Sequence, residues 1–348
     1  MAQEMSQLLE RIRVHGQGAV LGFVQAASLR LAKAALTLLA VIVLTFVLVR
    51  LAPGDPALLL AGDQGGSDPA FVAEIRQHLG VDGPIHLQLW HYLQAIARLD
   101  FGTSYRDQRP VIDIVLERLP ATLLLTVSAF VFSIVTGVGL GALAARRPGS
   151  VIDSAVTTLS VAFFAMPMFW IGLIFIIVFA VKLGWLPSYG MQAASAAAKG
   201  GWAIFGDLAA HMVLPVLTLG LYYMSIHARV SRAALLQISD MDFVRTARAK
   251  GLPVWLIWRD HLLRNALLPT ITVAALQAGQ LIGGSILVET VFAWPGIGRL
   301  AFDSLASRDY NVLIAVFILS SFGVLIANLI ADMAYRLIDP RMDREVTT

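Results

Sequence analysis

The sequence of 348 residues is 57% hydrophobic and 14% charged, against about 45–50% and about 25% in soluble domains, so it indicates a membrane protein. Cysteine is absent, which excludes a disulfide framework, a thiol nucleophile and a thiolate metal site. The formal net charge of +3 is explained in such a protein by cationic cytoplasmic loops rather than by nucleic-acid binding.

Six apolar stretches are candidates for helices that cross a bilayer, which needs ~20 mostly apolar residues for each crossing. In chain order they are residues 31–49, 121–145, 151–183, 211–230, 266–288 and 312–335. The third is too short for two crossings, so we predict one long helix that bends at Pro167. The fourth is the weakest because Pro215 and Gly220 break it. We therefore predict an all-α, polytopic fold with six transmembrane helices.

The composition between the spans predicts the remaining organisation. Residues 1–30 form an N-terminal extension, and residues 31–50 contain the first span. Residues 51–119 form a water-exposed periplasmic region with short helices at 70–79 and 85–99. Residues 120–335 hold the other five spans, including a loop at 231–265, and residues 336–348 form a tail. In the second span, three glycines favour close helix packing: Gly137, Gly139 and Gly141.

The distribution of lysine and arginine predicts the orientation. Sixteen of the 26 cations lie in the N-terminal segment, the second–third and fourth–fifth loops and the C-terminal tail. The fourth–fifth loop alone holds seven: Arg229, Arg232, Arg245, Arg248, Lys250, Arg259 and Arg264. Because short loops rich in lysine and arginine stay in the cytoplasm, we predict that both termini and this loop are cytoplasmic.

Residues 240–265, which we call the basic segment, lie outside the hydrocarbon, because each cation near its centre costs ~2.5–3.5 kcal/mol. We predict two short helices: Asp240 or Asp242 caps the first, Gly251 follows its end, and Pro253 opens the second. Two interpretations of the pattern stay open. The helices either lie on anionic headgroups or form a preformed knob for a cytoplasmic partner.

A resemblance to a known family bears on this choice. "FVRTARAKGL" followed by "HLLRNALLP" resembles the cytoplasmic loop of permease subunits in bacterial binding-protein-dependent ABC importers. Other stretches resemble the dipeptide/oligopeptide/nickel branch in the same order: "RLAPGDPA", "LDFGTSYRDQRPV", "RLPATL", "FWIGLIFIIVFAVKLGWLP", "HMVLPVLTLG", "ETVFAWPGIGRL", "SRDYNV" and "IDPR". The resemblance covers residues 32–341 and implies the type I ABC importer permease fold.

The resemblance implies that the loop forms the coupling helices, which sit in a groove of the ATP-binding subunit. The residues concerned are Phe243, Val244, Arg245, Thr246, Ala247, Arg248, Ala249, Lys250 and Gly251, with Arg264 and Asn265 closing the loop. The broader importer consensus has Glu-Ala-Ala where this chain has Arg245, Thr246 and Ala247. The peptide branch shares that change, so no role of the glutamate is transferred.

The chain itself lacks a phosphate-binding loop, because none of its four lysines is followed by serine or threonine. It is therefore predicted to be non-catalytic, without a cofactor of its own, while ATP and Mg²⁺ bind to partner chains. The implied partners are a second permease, two ATPase subunits and an extracytoplasmic solute-binding protein in the bacterial inner membrane. Peptides are the commonest solutes in this family; nickel, opines, glutathione and oligosaccharides are alternatives.

Polar residues of the fifth span are candidates for lining the solute pathway, although helix packing explains them equally well: Gln277, Gln280, Gly283 and Ser285. Glu289 and Asp332 lie close to span ends, where we expect them to reach water. No metal site is predicted. Asp55, residues 101–109 and residues 294–299 are candidate docking surfaces for the binding protein.

Two other functional classes are less well supported. A secondary transporter needs paired charges inside the membrane and inverted repeats, and a membrane enzyme needs a nucleophile–base or metal constellation. The sequence shows neither.

Overall fold

The computed structural model describes residues 28, 32–47, 84–193 and 200–338, and the chain divides into two compact units, Met1–Ala97 and Arg98–Thr348. In the first unit, helix α1 spans Ala32–Val47 and helix α2 spans Ile85–Ala97. The helix expected at 85–99 is thereby confirmed. The helix expected at 70–79, residue Asp55 and nearly all of the N-terminal extension lie outside the described residues.

The described part of the second unit is built from helices. In chain order they are α3 (Val111–Arg146), α4 (Val151–Ala165), α5 (Met168–Phe175), α6 (Trp202–Ser239), α7 (Asp242–Ala249), α8 (Val254–Leu256), α9 (Arg264–Val291), α10 (Ile297–Ala306) and α11 (Tyr310–Ile338). π-Helical turns extend α5 through Ile176–Lys182 and connect α8 to α9 through Ile257–Leu263.

Each of the six predicted spans falls on one of these helices or on a bent helix pair. Among the described residues, α3, α6 and the first 22 residues of α11 are long and apolar enough to cross a membrane singly. The pair α4–α5 and the segment from α8 through α9 also qualify if each counts as one bent span. The first predicted span corresponds to α1, a shorter apolar helix whose flanking residues are not described.

The third span is not the single long helix that the sequence predicted. α4 and α5 meet at an angle of 106°. Met166 is extended (φ −77°, ψ 136°), as expected for a residue before proline, and Pro167 opens α5 without a backbone N–H to continue the ladder of α4. The bend is therefore at Pro167, as predicted, but it turns the chain through more than a right angle.

The fourth span was expected to be broken at Pro215 and Gly220, and that expectation was wrong. α6 continues without interruption for 38 residues and contains both. Gly220 is a packing position: a Cβ there would come within 2.5 Å of the Phe132 ring on α3. Contacts of this kind keep a helix intact across a proline because the neighbouring helix stabilises it.

The core lies where α3, α6 and α9 meet. Its buried members are Ala121, Leu125, Ala129, Leu214, Leu219, Tyr223, Leu281, Val288, Phe292 and Trp294. Two predicted packing glycines of α3 face α6: a Cβ at Gly137 would lie 2.6 Å from the Cβ of His227, and one at Gly141 would lie 2.6 Å from the carbonyl oxygen of Ala228. The third, Gly139, has nothing within 4 Å of the same position. Gly137 and Gly141 thus allow the two backbones to approach closely.

Candidate functional site

The basic segment folds into a short helix followed by a tight turn. α6 ends at Ser239 and α7 covers Asp242–Ala249. Gly251 has φ +73°, and its N–H donates to the carbonyl of Arg248 at 3.0 Å. The chain then enters α8 directly after Pro253. The predictions for the helix, for Gly251 and for Pro253 as the start of the second helix are confirmed.

The predicted aspartate cap is wrong. The residue that caps α7 is Met241, which supplies no side-chain hydrogen bond. Asp240 is the C-cap residue of α6. Asp242 is the first residue of the helix, where its carboxylate interacts favourably with the helix dipole. It lies 3.7 Å from the guanidinium of Arg245, and both side chains are exposed.

The second helix is not a separate element. α8 continues through the π-helical turns into α9, because Val254–Leu256, Ile257–Leu263 and Arg264–Val291 follow each other without a gap. Arg264 and Asn265 therefore belong to the first turn of the fifth span rather than to a loop. The side chain of Asn265 donates to the carbonyl of His261 at 2.6 Å. The basic segment is thus joined to the fifth span by continuous helix.

One face of α7 is buried against the ends of the spans. Val244 is 0% exposed and Ala247 is 4% exposed. They belong to a cluster that also includes Ala145 of α3, Ala234, Leu235 and Ile238 of α6, and Ile257, Leu262 and Ala266. Burying a valine side chain contributes about 1.5–3 kcal/mol, so this cluster anchors α7 to three spans at once.

The rest of the surface of α7 is exposed and carries three cations. Its outward-facing members are Phe243, Arg245, Thr246, Arg248, Ala249 and Lys250. Phe243 is 40% exposed, which is a large fraction for an aromatic residue. Apart from the pair between Arg245 and Asp242, no carboxylate among the described residues forms an ion pair with these cations. Eight of the nine predicted coupling residues of the loop are thereby divided between an anchoring face and an exposed surface, and the ninth, Gly251, forms the turn.

Two arginine–tryptophan contacts involve the second half of the basic segment, one with α3 and one within the segment itself. The guanidinium of Arg146, at the end of α3, lies 5.2 Å from the centre of the Trp258 ring. The guanidinium of Arg259 lies 5.0 Å from the centre of the Trp255 ring. Contacts of this kind are worth about 0.5–1 kcal/mol at exposed sites.

An ion pair that sequence reasoning missed lies close by. Asp153 of α4 accepts a hydrogen bond from Arg232 of α6 at 2.7 Å and another from the backbone N–H of Gly149 at 2.9 Å. The Asp153 side chain is buried. The only signal in the sequence was a lone carboxylate at the start of an apolar run, and Arg232 was counted with the loop cations. The pair holds the second–third connection against α6.

The candidate pathway residues of the fifth span do not share one face. Gln277 and Ser285 are buried, whereas Gln280 and Gly283 are exposed. The Oε1 atom of Gln277 has no hydrogen-bond partner among the described residues. Only Gln280 and Gly283 thus have the exposure that pathway lining requires.

Glu289 does not reach water, which corrects the expectation from the sequence. It lies inside α9 and is 0% exposed. Its carboxylate accepts hydrogen bonds from the hydroxyl of Thr122 at 2.7 Å and from the backbone N–H of Arg299 at 3.0 Å. A Cβ at Gly296 would lie 2.3 Å from this carboxylate. Glu289 therefore joins α3, α9 and α10 as a structural residue.

The candidate docking surfaces for a binding protein are only partly exposed. Trp294 is fully buried, and its indole N–H donates to the carbonyl of Ala121 at 2.8 Å. The stretch 101–109 is bonded to the first turn of α11, where Asn311 donates to the carbonyl of Thr103 at 2.9 Å and accepts from the Tyr105 hydroxyl at 3.2 Å. Trp294 thus belongs to the core rather than to an exposed docking surface.

Comparisons with known proteins identify the family to which the chain belongs. Residues 137–344 match the family described as "Binding-protein-dependent transport system inner membrane component", and residues 24–126 match the corresponding N-terminal family. Proteins named "Glutathione transport system permease protein GsiC" from Salmonella typhi and Escherichia coli are each 40% identical to this chain over 304 residues. The match covers 87% of this chain and 94% of each relative.

Solved structures show the same fold at lower identity. Two structures titled "Inward facing conformations of the MetNI methionine ABC transporter" match with TM-scores of 0.52 and 0.51, at 21% and 24% identity. The first match covers 65% of this chain and 96% of the other, and the second covers 66% and 97%. At this identity the likeness concerns the fold alone.

Proposed function

The chain belongs to the family of binding-protein-dependent transport system inner membrane components, and from this membership we propose that α7 couples it to a separate ATPase. The chain is a multi-pass permease subunit of a peptide-type ABC importer, with the all-α type I permease fold. Its spans would line the path of the solute, while α7 would receive the movement of the ATPase.

The observation that carries the proposal is that α7 is buried on one face and exposed over the rest of its surface. Val244 and Ala247 fix the helix to three spans, while Phe243, Arg245 and Arg248 remain exposed around this buried face. An exposed aromatic residue flanked by arginines is typical of the centre of a protein interface. A surface of this kind fits a protein cleft better than lipid headgroups, because an interfacial helix keeps its apolar face, here Val244 and Ala247, for the acyl chains.

The continuous helix from α8 to α9 supports a mechanical role. A rigid-body shift of α7 would be transmitted to the fifth span through Ile257 and Leu262, which belong to the same buried cluster. Transitions of this type are common in proteins that alternate between two states, because packed interfaces move as units. Binding and hydrolysis of ATP on the partner would then change the access of the pathway.

We further propose the partners and the orientation. The permease pairs with a second permease, two ATPase subunits that carry ATP and Mg²⁺, and an extracytoplasmic solute-binding protein. Both termini and α7 face the cytoplasm of the bacterial inner membrane. The seven cations of the fourth–fifth loop support this orientation, because short loops rich in lysine and arginine stay in the cytoplasm.

Glutathione or another short peptide is the solute that we propose, because the relatives at 40% identity are named as glutathione permeases. The test is uptake of labelled glutathione, dipeptides and nickel by cells whose only importer of this type is the complete system. Saturable, ATP-dependent uptake of glutathione or peptides is expected. Uptake of nickel or of an oligosaccharide alone would overturn the assignment of the solute.

Charge reversal tests the coupling role of α7. We expect the double substitution Arg245→Glu and Arg248→Glu to abolish co-purification of the ATPase and to reduce uptake at least about tenfold, because two charge-assisted contacts become repulsive. The permease should still insert and elute as a folded protein, since both side chains are exposed.

Arg98→Glu is the matched control, because it reverses an exposed cation outside the basic segment. It should leave the ATPase bound. Unchanged assembly and uptake in the double variant would contradict the coupling role. Weaker assembly in the Arg98 variant would mean that total charge, not α7, controls binding.

A further inference from the structure

Arg229 is a cation inside a span rather than in a loop. The sequence placed it among the loop cations, but α6 continues beyond it to Ser239. Its Nε donates to the carbonyl oxygen of Ser225 at 3.4 Å. Ser225 is one turn closer to the N-terminus of α6, so the guanidinium is directed back into the span.

Neighbouring contacts give its depth. The pair between Arg232 and Asp153 marks the point where α4 begins. Ser225 lies seven residues before Arg232, which is about 10 Å along a helix. On the other wall, the guanidinium of Arg229 lies 4.6 Å from the centre of the Phe164 ring, and Phe164 stands near the far end of α4. Both helices thus place the guanidinium of Arg229 away from the pair between Asp153 and Arg232, toward the apolar parts of α4 and α6.

The charge of Arg229 has no anionic partner within the described part of the chain. Its contacts are the carbonyl of Ser225 and the face of Phe164, and no described carboxylate forms an ion pair with it. The residue is partly exposed. Arginines within transmembrane segments almost always face a bundle interior or a water-filled cavity, because exposure to lipid is costly. Arg229 therefore faces an aqueous space or another protein surface.

Aromatic side chains shape the wall beside this charge. Phe164 is 42% exposed and stacks on Tyr222 with ring centres 5.5 Å apart. Tyr222 in turn packs edge-on against Tyr223 at 5.2 Å. The ring of Phe164 lies against the guanidinium of Arg229, and the N–H groups of a guanidinium can pair with a carboxylate in the two-pronged geometry that arginine favours.

We propose that Arg229, Phe164 and Tyr222 form a subsite that binds a carboxylate of the imported solute during its passage. The inference rests on the proposed function, since a peptide or glutathione carries such a group. The arginine supplies the charge and the two rings supply the orientation. Release follows because a single partly hydrated site binds weakly enough to let the solute leave.

The test uses the complete importer reconstituted in proteoliposomes with saturating binding protein. Uptake of glutathione is compared with uptake of two analogues in which one carboxylate at a time is replaced by an amide. Arg229→Gln should reduce the turnover of glutathione at least about tenfold, the effect of losing one charge-assisted pair. Arg229→Lys should retain a larger share. One amide analogue should be transported slowly by the wild type, and its rate of uptake should not change with Arg229→Gln or Arg229→Lys.

Arg147→Gln is the matched control, because it removes an exposed arginine at the end of α3, and its turnover should equal that of the wild type. Subunit stoichiometry should be unchanged in all variants, and the Arg147→Gln control should also keep the basal ATPase activity of the wild type. Equal losses for the acid and both amides would overturn the inference, as would normal uptake in Arg229→Gln. Loss of the second permease from the complex would instead assign Arg229 to an ion pair between subunits and would also overturn it.

Two further arms distinguish the subsite from a lipid contact and from an error in the proposed solute. An effect of Arg229→Gln that disappears in vesicles of phosphatidylcholine alone would assign the site to anionic lipid and overturn the inference. If the wild type does not take up glutathione, only the proposed solute fails. The comparison is then made with the acid and amide forms of the solute that is transported, and a transported solute without an anionic group overturns the subsite.

Discussion

Asp153 and Arg232 form the ion pair that closes the connection between the second and third spans. The carboxylate also accepts the backbone N–H of Gly149, so one side chain holds both the turn and α6. The Asp153 side chain is 5% exposed and that of Arg232 is 30% exposed. Removing one member leaves the other charge in a partly buried site without compensation.

We expect Asp153→Asn to lower the stability of the permease by about 2 kcal/mol, which is less than the ~3–5 kcal/mol for fully buried pairs because Arg232 is partly exposed. Thermal unfolding in detergent, followed by tryptophan fluorescence, measures the change. The double substitution with Arg232→Gln should recover part of the loss, because no lone charge remains.

Glu117→Gln serves as the comparison for Asp153→Asn. It breaks an ion pair with Arg109 in which both side chains are about half exposed, and solvent screens such pairs. Its unfolding midpoint should stay close to that of the wild type. A larger shift for Glu117→Gln than for Asp153→Asn would mean that burial does not control these pairs.

At the scale of elements, the contact between α3 and α6 organises the second unit. Gly137 and Gly141 are one turn apart, and both face the backbone of α6. Because apolar lipid gives helices no hydrophobic reason to associate, close packing of small residues is a main source of stability in a bilayer.

Substitution of these glycines tests the contact directly. We expect Gly137→Leu or Gly141→Leu to reduce the yield of monodisperse protein and to cost about 1–3 kcal/mol or more, because the added side chain meets backbone and Cβ atoms closer than 3 Å. The same change at Gly139, which has open space, should be tolerated. Size-exclusion profiles after identical purification give the comparison, and equal losses at all three positions would refute the packing role.

At the scale of the whole molecule, the orientation of the chain decides which surface meets which partner. The absence of cysteine makes labelling of single introduced cysteines straightforward. In intact spheroplasts, we expect a membrane-impermeant maleimide to label Arg106→Cys, whereas Arg147→Cys should react only after the membrane is opened. The unmodified chain, which carries no thiol, is the blank. Labelling of position 147 in intact cells would invert the proposed topology.

Much of the architecture followed from local properties of the chain. The existence of the spans, the helix of the basic segment and the turn at Gly251 depend on apolar length or on backbone preferences over a few residues. The bend at Pro167 was predicted for the same reason, but its angle of 106° was not. The continuous helix through Pro215 was missed because a neighbouring helix stabilises it, and no local pattern contains that neighbour.

The candidate site was predicted in outline only. The sequence identified all the residues of α7 but could not separate Val244 and Ala247 from the exposed cations, because that division depends on where α3, α6 and α9 end. It also treated the second half of the basic segment as independent. Because charged residues such as Arg259 and Asp260 interrupt the apolar pattern, the sequence did not predict that this half continues as helix into the fifth span.

The sequence by itself determined that this chain is a helical membrane protein with one basic segment outside the bilayer, because the cost of burying charge in lipid depends on each residue and not on its neighbours. Only the tertiary structure decided the contacts of Asp153, Arg229 and Glu289. The pair between Asp153 and Arg232 spans 79 positions of sequence, and the contact between Glu289 and Thr122 spans 167. Side chains so far apart in the chain come into contact only when the helices pack.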